Sequence, residues 1–570
     1  MDDYRGRPIG AILEDPDEPG VSPPRPSVFS VHSAGSNALD AAVPGDAGPL
    51  SDPLDALDVD LVDIASSAGE LSEASRDVST LRDQRRDGMV AIMTNMRATR
   101  PEIIRAVPAR HALWICGQAF RAKLDHACHL HKYSRATRHI DEFWSHSWHW
   151  KPWMKSTTAL FVSNGFAAAV LGLFGAVLAA VLLQRQVLPV DHRGWQRWFA
   201  GSHWTVLFGT LTYYLALIFW PSQRRVFLDI ICIDQEKPSA RGEALLSIGA
   251  ILKSSSRMLI LWDRTWMARL WCVFELAGWL HSRKQGTDAK RNVGARPVLL
   301  GPLLVTSNLS LVVILLGAEL ISTYGPSLRG LAAYLIPLSV VLPLFLILSH
   351  VGRAFCRSID DLQQALATFS TGQTKCGCCD AGHLDANGEP MACDREILLR
   401  CIELWYGDLS SFEVHVKGNV RAALLEQLTS PLFLYWHVVG AASPVMWFFL
   451  GNPWWPLLTL TGSTEHVLSI LNLLVGGLTM WLAAIPALVL LSLMLAYLLR
   501  RQRSYFAFDI LCSMMVVLAG GFVALASIAG GFVFQTMGLG ALAVNFACNL
   551  CVALACGFLF SKSRRCALAI

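Results

Sequence analysis

The sequence predicts an α-helical polytopic membrane protein that carries a cytosolic α/β module with a parallel sheet. Three observations carry that prediction. Of the 570 residues, 53% are hydrophobic and 16% charged, against roughly 45–50% and about 25% in soluble domains, and the mean hydropathy is +0.41. About eight apolar runs are long enough, or nearly so, to cross about 30 Å of hydrocarbon. Between the second and third runs, residues 224–281 alternate β-prone and helical segments. The composition excludes an ordinary cytosolic enzyme, a wholly disordered chain and a collagen or coiled-coil rod.

The chain begins with an acidic tail. Residues 1–80 hold 4 basic and 16 acidic side chains, and the remaining 490 hold 44 and 28, so the net +4 sums a balance of −12 and one of +16. Low hydrophobicity and net negative charge leave too little apolar surface to offset ordering entropy, so 1–80 is expected to be disordered. Met1 is followed by Asp2, Asp3 and Arg5 with no apolar run, so no cleaved secretory signal is expected. Residues 81–139 read as a basic, helical cytosolic segment. Between 82 and 155 there are 14 basic and 6 acidic side chains, a balance suited to the anionic lipid of a cytosolic leaflet. The sequence carries no recognised nucleic-acid-binding motif, so no nucleic-acid partner is expected.

The spans are expected near 157–183, 203–220, 299–322, 330–350, 432–450, 466–499, 508–533 and 540–560. Pro486 should kink the over-long sixth run. Lys151 and Lys155 precede the first span, Arg224 and Arg225 follow the second, Arg353 and Arg357 the fourth, and Arg500, Arg501 and Arg503 the sixth. With an even number of spans these basic flanks share one side. By the positive-inside rule both termini and every sizeable polar segment are then cytosolic. The 184–202 loop, with Arg185, Arg193 and Arg197, breaks the pattern. Glu319 in the third span and Asp509 at the edge of the seventh are ionisable groups at membrane depth and so candidates for a transport or proton-relay path. With no second acid or arginine beside Glu319, interior packing or a hydrogen-bonded helix contact is the preferred reading.

The α/β module is legible as short apolar runs separated by polar turns. Ile140–Trp148 is a first strand, Arg225–Ile233 a second, Arg257–Trp262 a third and Arg296–Leu300 a fourth. Helical spacing runs over 241–254 and 268–281. Strand–helix alternation of this kind argues for a parallel sheet. Two spans separate the first strand from the second, and a hairpin of two spans returns the chain to the same side. The module is therefore expected to be split across a membrane hairpin.

Val226-Phe-Leu-Asp229, Arg241-Gly242, Ser254-Ser255 and Trp266-Met-Ala-Arg-Leu-Trp-Cys-Val-Phe-Glu-Leu276 follow one another in that order. Together with Asp141-Glu-Phe-Trp-Ser145 they resemble the strands and the Trp-Cys-x-x-Glu-Leu helix of Toll/interleukin-1 receptor (TIR) domains. The resemblance covers about 90 residues. The combination with flanking spans is similar to uncharacterised multipass proteins of dinoflagellate algae. It implies either a self-associating signalling module or hydrolysis of NAD as substrate, with Glu275 as the catalytic carboxylate facing the nicotinamide ribose. A carboxylate there stabilises an oxocarbenium-like centre as the base leaves. Ser145, His146 and Asp229 would then stand at carboxyl ends of neighbouring strands, where open parallel sheets bind ligands, with Trp262 stacking a base. One departure weighs against the enzyme: Arg269 stands where plant-like TIR domains have a serine. Set against catalysis, Glu275 is read as pairing with Arg264 or Arg269, and Trp271, Cys272 and Cys232 as inert core.

A second cluster lies between the fourth and fifth spans. Cys376, Cys378, Cys379, His383 and Cys393 fall within 18 residues, enough ligands for a tetrahedral zinc site, although the spacing is not that of a common finger. Free, palmitoylated or redox-active thiols are the competing readings. The helices expected at 395–411 and 412–428 should dock on the α/β module. The expected function is signalling or protein interaction. The alternatives are a membrane-tethered NAD glycohydrolase using Glu275, and a transporter or channel regulated by the cytosolic module.

Overall fold

The computed structural model describes residues 70–121, 128–148, 151–189, 202–283, 292–324, 332–383, 392–428, 431–451, 471, 474–503, 505–536 and 539–568. Residues 1–69 of the acidic tail, most of the 184–202 loop and Asp385–Glu389 lie outside the described residues. The helix Glu70–Asn95 begins ahead of the expected boundary at 80. The described chain is mostly helical and holds one six-stranded mixed sheet.

The strands are β1 Arg105–Pro108, β2 Arg135–Ala136, β3 Ile140–His146, β4 Arg225–Phe227, β5 Ser255–Trp262 and β6 Val293–Pro297, in the spatial order β2-β1-β4-β3-β5-β6. The last four strands in space are parallel: β3 pairs with β4 on one side and β5 on the other, and β5 pairs with β6. The strand before the first apolar hairpin is therefore central, between the two strands that follow it. Phe143 of β3 is opposite Phe227 of β4 and Met258 of β5, and the two phenyl rings stack at 4.9 Å. All three side chains are buried, which fixes the register, because a one-residue slip would turn them to the other face.

Three expectations about the sheet need correction. It is mixed rather than purely parallel, because β1 pairs antiparallel with both β2 and β4. The second strand stops at Phe227. The Asp229 carboxylate accepts the Ile230 N–H at 2.8 Å, and the chain turns into a short helix, Asp229–Cys232. The fourth strand is displaced to 293–297. The helical stretch at 241–254 is two pieces, Pro238–Leu246 and Ile248–Lys253.

Among the described residues, four helices are long and apolar enough to cross a membrane: Pro152–Gln184, Leu300–Leu320, Leu338–Ala367 and Leu474–Leu498. Shorter apolar helices lie at Leu434–Leu450, Phe506–Phe522 and Ala543–Ala555, and an 18-residue helix spans Ser202–Phe219. Gly172 and Gly209 face Trp447, and a Cβ on either would collide with the indole. Small residues at such contacts let membrane helices approach closely. The expected run at 432–450 is broken into Pro431–Ala441 and Ser443–Leu450. Pro444 cannot continue the ladder, and the Ala441 carbonyl takes a hydrogen bond from Asn308 Nδ2 at 3.0 Å. Pro486 perturbs its helix as expected. A π-helical turn at Met480–Ala484 precedes it, and the Leu482 carbonyl, four residues before the proline, accepts the Tyr435 hydroxyl at 2.6 Å.

The helix Pro152–Gln184 follows β3 directly and runs back along the sheet. Lys155 meets Asp263 just past the end of β5. Thr158 Oγ1 donates to the Val298 carbonyl past the end of β6. Val162 then lines a cavity with Glu142, Arg257 and Met258, near the amino ends of the strands. The carboxyl rim of the sheet therefore points away from the apolar helices, and the amino edge points toward them.

Candidate functional site

The carboxyl rim collects several side chains that the chain separates widely. Ser145 near the end of β3 donates its hydroxyl to Glu275 Oε2 at 2.5 Å and accepts from Trp266 Nε1 at 3.0 Å. Glu275 projects from the helix Leu270–Ser282 and is half-buried. Burial pushes its carboxyl up to about 8; the Ser145 hydrogen bond pulls it down and the nearby Asp229 charge pushes it up. Arg264, one of the two expected ion-pair partners of Glu275, instead bonds Asp361 at 2.7 Å.

His146, the next residue, turns to the other side of the strand. Its Nε2 lies 3.3 Å from Asp229 Oδ1, at ion-pair distance but without hydrogen-bond alignment. Trp148 Nε1 donates to Asp229 Oδ2 at 3.2 Å, and the His146 ring sits 5.3 Å from both Phe120 and Trp148. Ser145, His146, Asp229 and Glu275 thus meet at one rim, at the point where the parallel strands leave β3 in both directions. Open sheets bind ligands at such switch points.

Trp262 does not join them as a stacking platform. It is 2% exposed and packs against Trp266 with ring centroids 6.0 Å apart, so its faces are covered. Cys272 and Cys232 are core residues. Burial raises the Cys272 thiol well above its usual range and pushes Cys232 up to about 12, which leaves both unreactive.

Sequence reasoning missed a buried ion pair beside this rim. Lys155 Nζ lies 3.7 Å from Asp263 Oδ2, with the two side chains 3% and 0% exposed, and also donates to the Ser147 carbonyl. Asp263 Oδ1 accepts the Thr265 N–H at 2.8 Å, and the Thr265 and Ser147 hydroxyls are hydrogen-bonded. A lysine one turn inside an apolar helix and an aspartate just after a strand were the available signals. Their separation of 108 positions, with the apolar hairpin between, hid the pairing.

The acids of the apolar helices also have partners. Glu319 Oε1 is 2.7 Å from His203 Nδ1. Asp509 accepts from Arg353 at 2.6 Å, and Arg353 additionally donates to the Leu499 and Asp509 carbonyls and to Ser513 Oγ.

The cysteine segment is pinned beside the same module. Lys375 N donates to the Ala268 carbonyl at 2.6 Å and Leu270 N to the Lys375 carbonyl at 3.0 Å, a short parallel bridge. A turn of helix, Gly377–Asp380, carries Cys378 and Cys379. His383 N then bonds the Cys378 carbonyl at 2.8 Å, folding the histidine back over the thiols. Cys393 caps the helix Asp394–Tyr406. The side chains of Cys378, Cys379, His383 and Cys393 present ligand atoms all within 4.8 Å of one another. Of the five expected ligands only Cys376 is outside this set; it groups with Cys378 and Asp394. Burial pushes the Asp394 carboxyl up to about 8, and Trp271 Nε1 donates to it at 3.2 Å. The helix Asp394–Tyr406 docks on the module as expected, through Tyr406 Oη donating to the Ala277 carbonyl at 3.0 Å and Trp405 stacked on Phe274 at 5.2 Å.

No protein-family model, curated protein or solved structure matches the chain.

Proposed function

We propose that the protein is a multipass membrane protein of about eight spans whose TIR-like module, split across the first hairpin and lying with both termini in the cytosol, acts in signalling or protein interaction. One observation carries this reading. The apolar helix Pro152–Gln184 is the next element after the central strand β3, and the Lys155–Asp263 pair ties that helix to the sheet rim. A partner docking on the module, or a second copy of the chain, would act on a body joined to the membrane helices by a buried ion pair. The basic flanks support the cytosolic orientation. So does the arginine-bearing cavity of about 320 Å³ at the amino edge, where Arg224, Arg257 and Arg296 stand near Val162 and His437 of the apolar helices.

The experiment is co-purification of two differently tagged copies from mild detergent, followed by crosslinking. Association that persists in Glu275→Ala supports the reading. A monomer with no crosslinked partner overturns it.

A second reading is a membrane-tethered NAD glycohydrolase, favoured by the convergence of Ser145, His146, Asp229 and Glu275 at the rim. Its weakness is electrostatic. A carboxyl pushed up to about 8 is mostly protonated at neutral pH, and oxocarbenium stabilisation needs the anion. Nicotinamide release from NAD that Glu275→Ala abolishes supports it; no release under conditions where a TIR enzyme is active overturns it.

A further inference from the structure

We infer that Cys378, Cys379, His383 and Cys393 form a closed, tetrahedral Cys3His zinc site that joins residues 371–383 to the helix Asp394–Tyr406 beside the α/β module. The inference does not depend on the signalling reading.

The spacing of the sulfurs carries it. Zinc binds thiolate at about 2.3 Å and imidazole at about 2.0–2.1 Å, and tetrahedral angles then set neighbouring sulfurs roughly 3.8 Å apart. Cys378 and Cys379 Sγ are 3.9 Å apart, and Cys379 and Cys393 Sγ are 3.8 Å apart. A disulfide would bring a pair to about 2.05 Å, so none of these thiols is paired covalently. Three soft sulfurs and one imidazole select zinc over calcium or magnesium, which take oxygen.

Two further features point to a ligand. His383 is a non-glycine residue in the left-handed region, at φ +60°, a conformation that costs energy and persists where the surroundings enforce it. It is the conformation that turns the imidazole back toward the thiols. In addition, backbone N–H groups at the start of the helix Asp394–Tyr406 are directed at the sulfurs, those of Asp394 and Arg395 at Cys378 and those of Arg395 and Glu396 at Cys393. Such donors stabilise metal-bound thiolates and fix their orientation, as outer-shell groups do.

Cys376 is outside the coordination sphere. Its Sγ is 3.3 Å from that of Cys378, closer than two ligands of one zinc stand, and suited to an S–H donated to the bound sulfur. With four protein ligands no position is left for water or substrate, so the site is structural. Bound zinc holds the three sulfurs as thiolates, so loading releases the protons they carry. The metal joins two stretches that the structure already anchors to the helix Leu270–Ser282: the bridge at Lys375 and the Trp271–Asp394 hydrogen bond.

The test uses the full chain in detergent. Zinc is counted by mass spectrometry after loading and dialysis, and cobalt is substituted to read the thiolate charge-transfer and tetrahedral d–d bands. The expected result is one zinc per chain, with a cobalt spectrum of three sulfurs and one nitrogen. Cys378→Ser and Cys393→Ser each lose the metal. Cys376→Ala keeps it, with affinity lower by roughly tenfold to a hundredfold, as for an outer-shell group. A wild-type chain that retains no zinc, or whose cobalt spectrum lacks thiolate bands, overturns the proposal without recourse to any variant. Loss of metal in Cys376→Ala with retention in Cys379→Ser overturns the ligand assignment.

Discussion

Replacing Lys155 by Met removes the cation from a buried pair and leaves Asp263 without its charge partner. The two groups stand 3.7 Å apart, with side chains 3% and 0% exposed. At an effective dielectric of about 20 that separation is worth about 4 kcal/mol of Coulomb attraction. The measured loss should be of similar size, about 3–5 kcal/mol, because an unpaired charge is left inside. The Ser147 carbonyl also loses a donor, which adds about 1 kcal/mol. Asp263→Leu alone should cost a comparable amount through the stranded ammonium. The double variant Lys155→Met/Asp263→Leu should recover most of the loss, since an apolar pair of similar volume is often neutral or better. The assay is thermal or denaturant unfolding in detergent, followed by tryptophan fluorescence, with a double-mutant cycle. A coupling energy of about 3 kcal/mol is expected. Single variants that each cost under about 1 kcal/mol and add without coupling would refute the contact, and with it the joint between the first apolar helix and the sheet.

Three further outcomes follow from the geometry. Glu275 is raised from 4.5 to about 8, so the folded state holds a proton the unfolded state has released; its contribution is fully present below pH 4.5 and is lost as pH rises through about 8, with a slope of up to about 1.4 kcal/mol per pH unit. Unfolding midpoints across that window should fall with pH in the wild type and flatten in Glu275→Gln; an unchanged slope contradicts the raised value. Arg353→Met leaves the buried Asp509 with only His350, at 3.7 Å, as an ion-pair neighbour and should cost about 3–5 kcal/mol in detergent, whereas Arg353→Lys should recover little, because one ammonium cannot reach the carbonyls and hydroxyl that the guanidinium fork serves. Tyr435→Phe strips the donor from the Leu482 carbonyl and should cost about 1 kcal/mol in thermal unfolding; no change would mean that water or another group serves that carbonyl.

Much of the sheet was legible because its strands are short apolar runs bounded by polar turns. The residues of β3 and β5 were found nearly to their ends, and the split followed from counting spans. β1 and β2 were not legible. β1 ends on Pro108, β2 is Arg135–Ala136 with both side chains exposed, and neither has the alternation that marks a strand. Arginine and brevity are what an edge strand such as β2 carries to avoid further pairing, and β1, paired on both sides, ends at a proline that has no N–H for the ladder. The end of β4 was misjudged because Leu228 to Ile233 reads as a continuation, whereas the backbone turns at Asp229, whose carboxylate accepts the Ile230 N–H, and the Leu228 carbonyl takes the Ile231 and Cys232 N–H groups. The expected helix over 395–411 ends early at Tyr406, where Gly407 takes a positive φ of 89° and Asp408 caps the next helix through Ser411 N at 2.6 Å.

The candidate sites differ in the same way. The thiol cluster was visible in the sequence because its members are close neighbours along the chain. The Ser145–Glu275 pair emerged only through the TIR resemblance, since 130 positions separate the two residues. The demotion of Trp262 needed coordinates, because a tryptophan at a strand end looks the same whether its ring is open or covered. The Lys155–Asp263 pair was hidden by its separation of 108 positions, with the apolar hairpin between the partners.

The split of the sheet across the first apolar hairpin is tested most directly by crosslinking between β3 and β5. Glu142 and Arg257 are paired residues of neighbouring parallel strands, about 5 Å apart across the ladder. The chain bearing Glu142→Cys and Arg257→Cys, with a protease site placed in the 190–201 loop, is treated with a short thiol-specific crosslinker in native membranes and then cleaved. The two fragments should remain joined after denaturation, and a control chain bearing Glu142→Cys and Arg400→Cys should separate. Fragments that separate equally in both would contradict a sheet assembled from both sides of the hairpin.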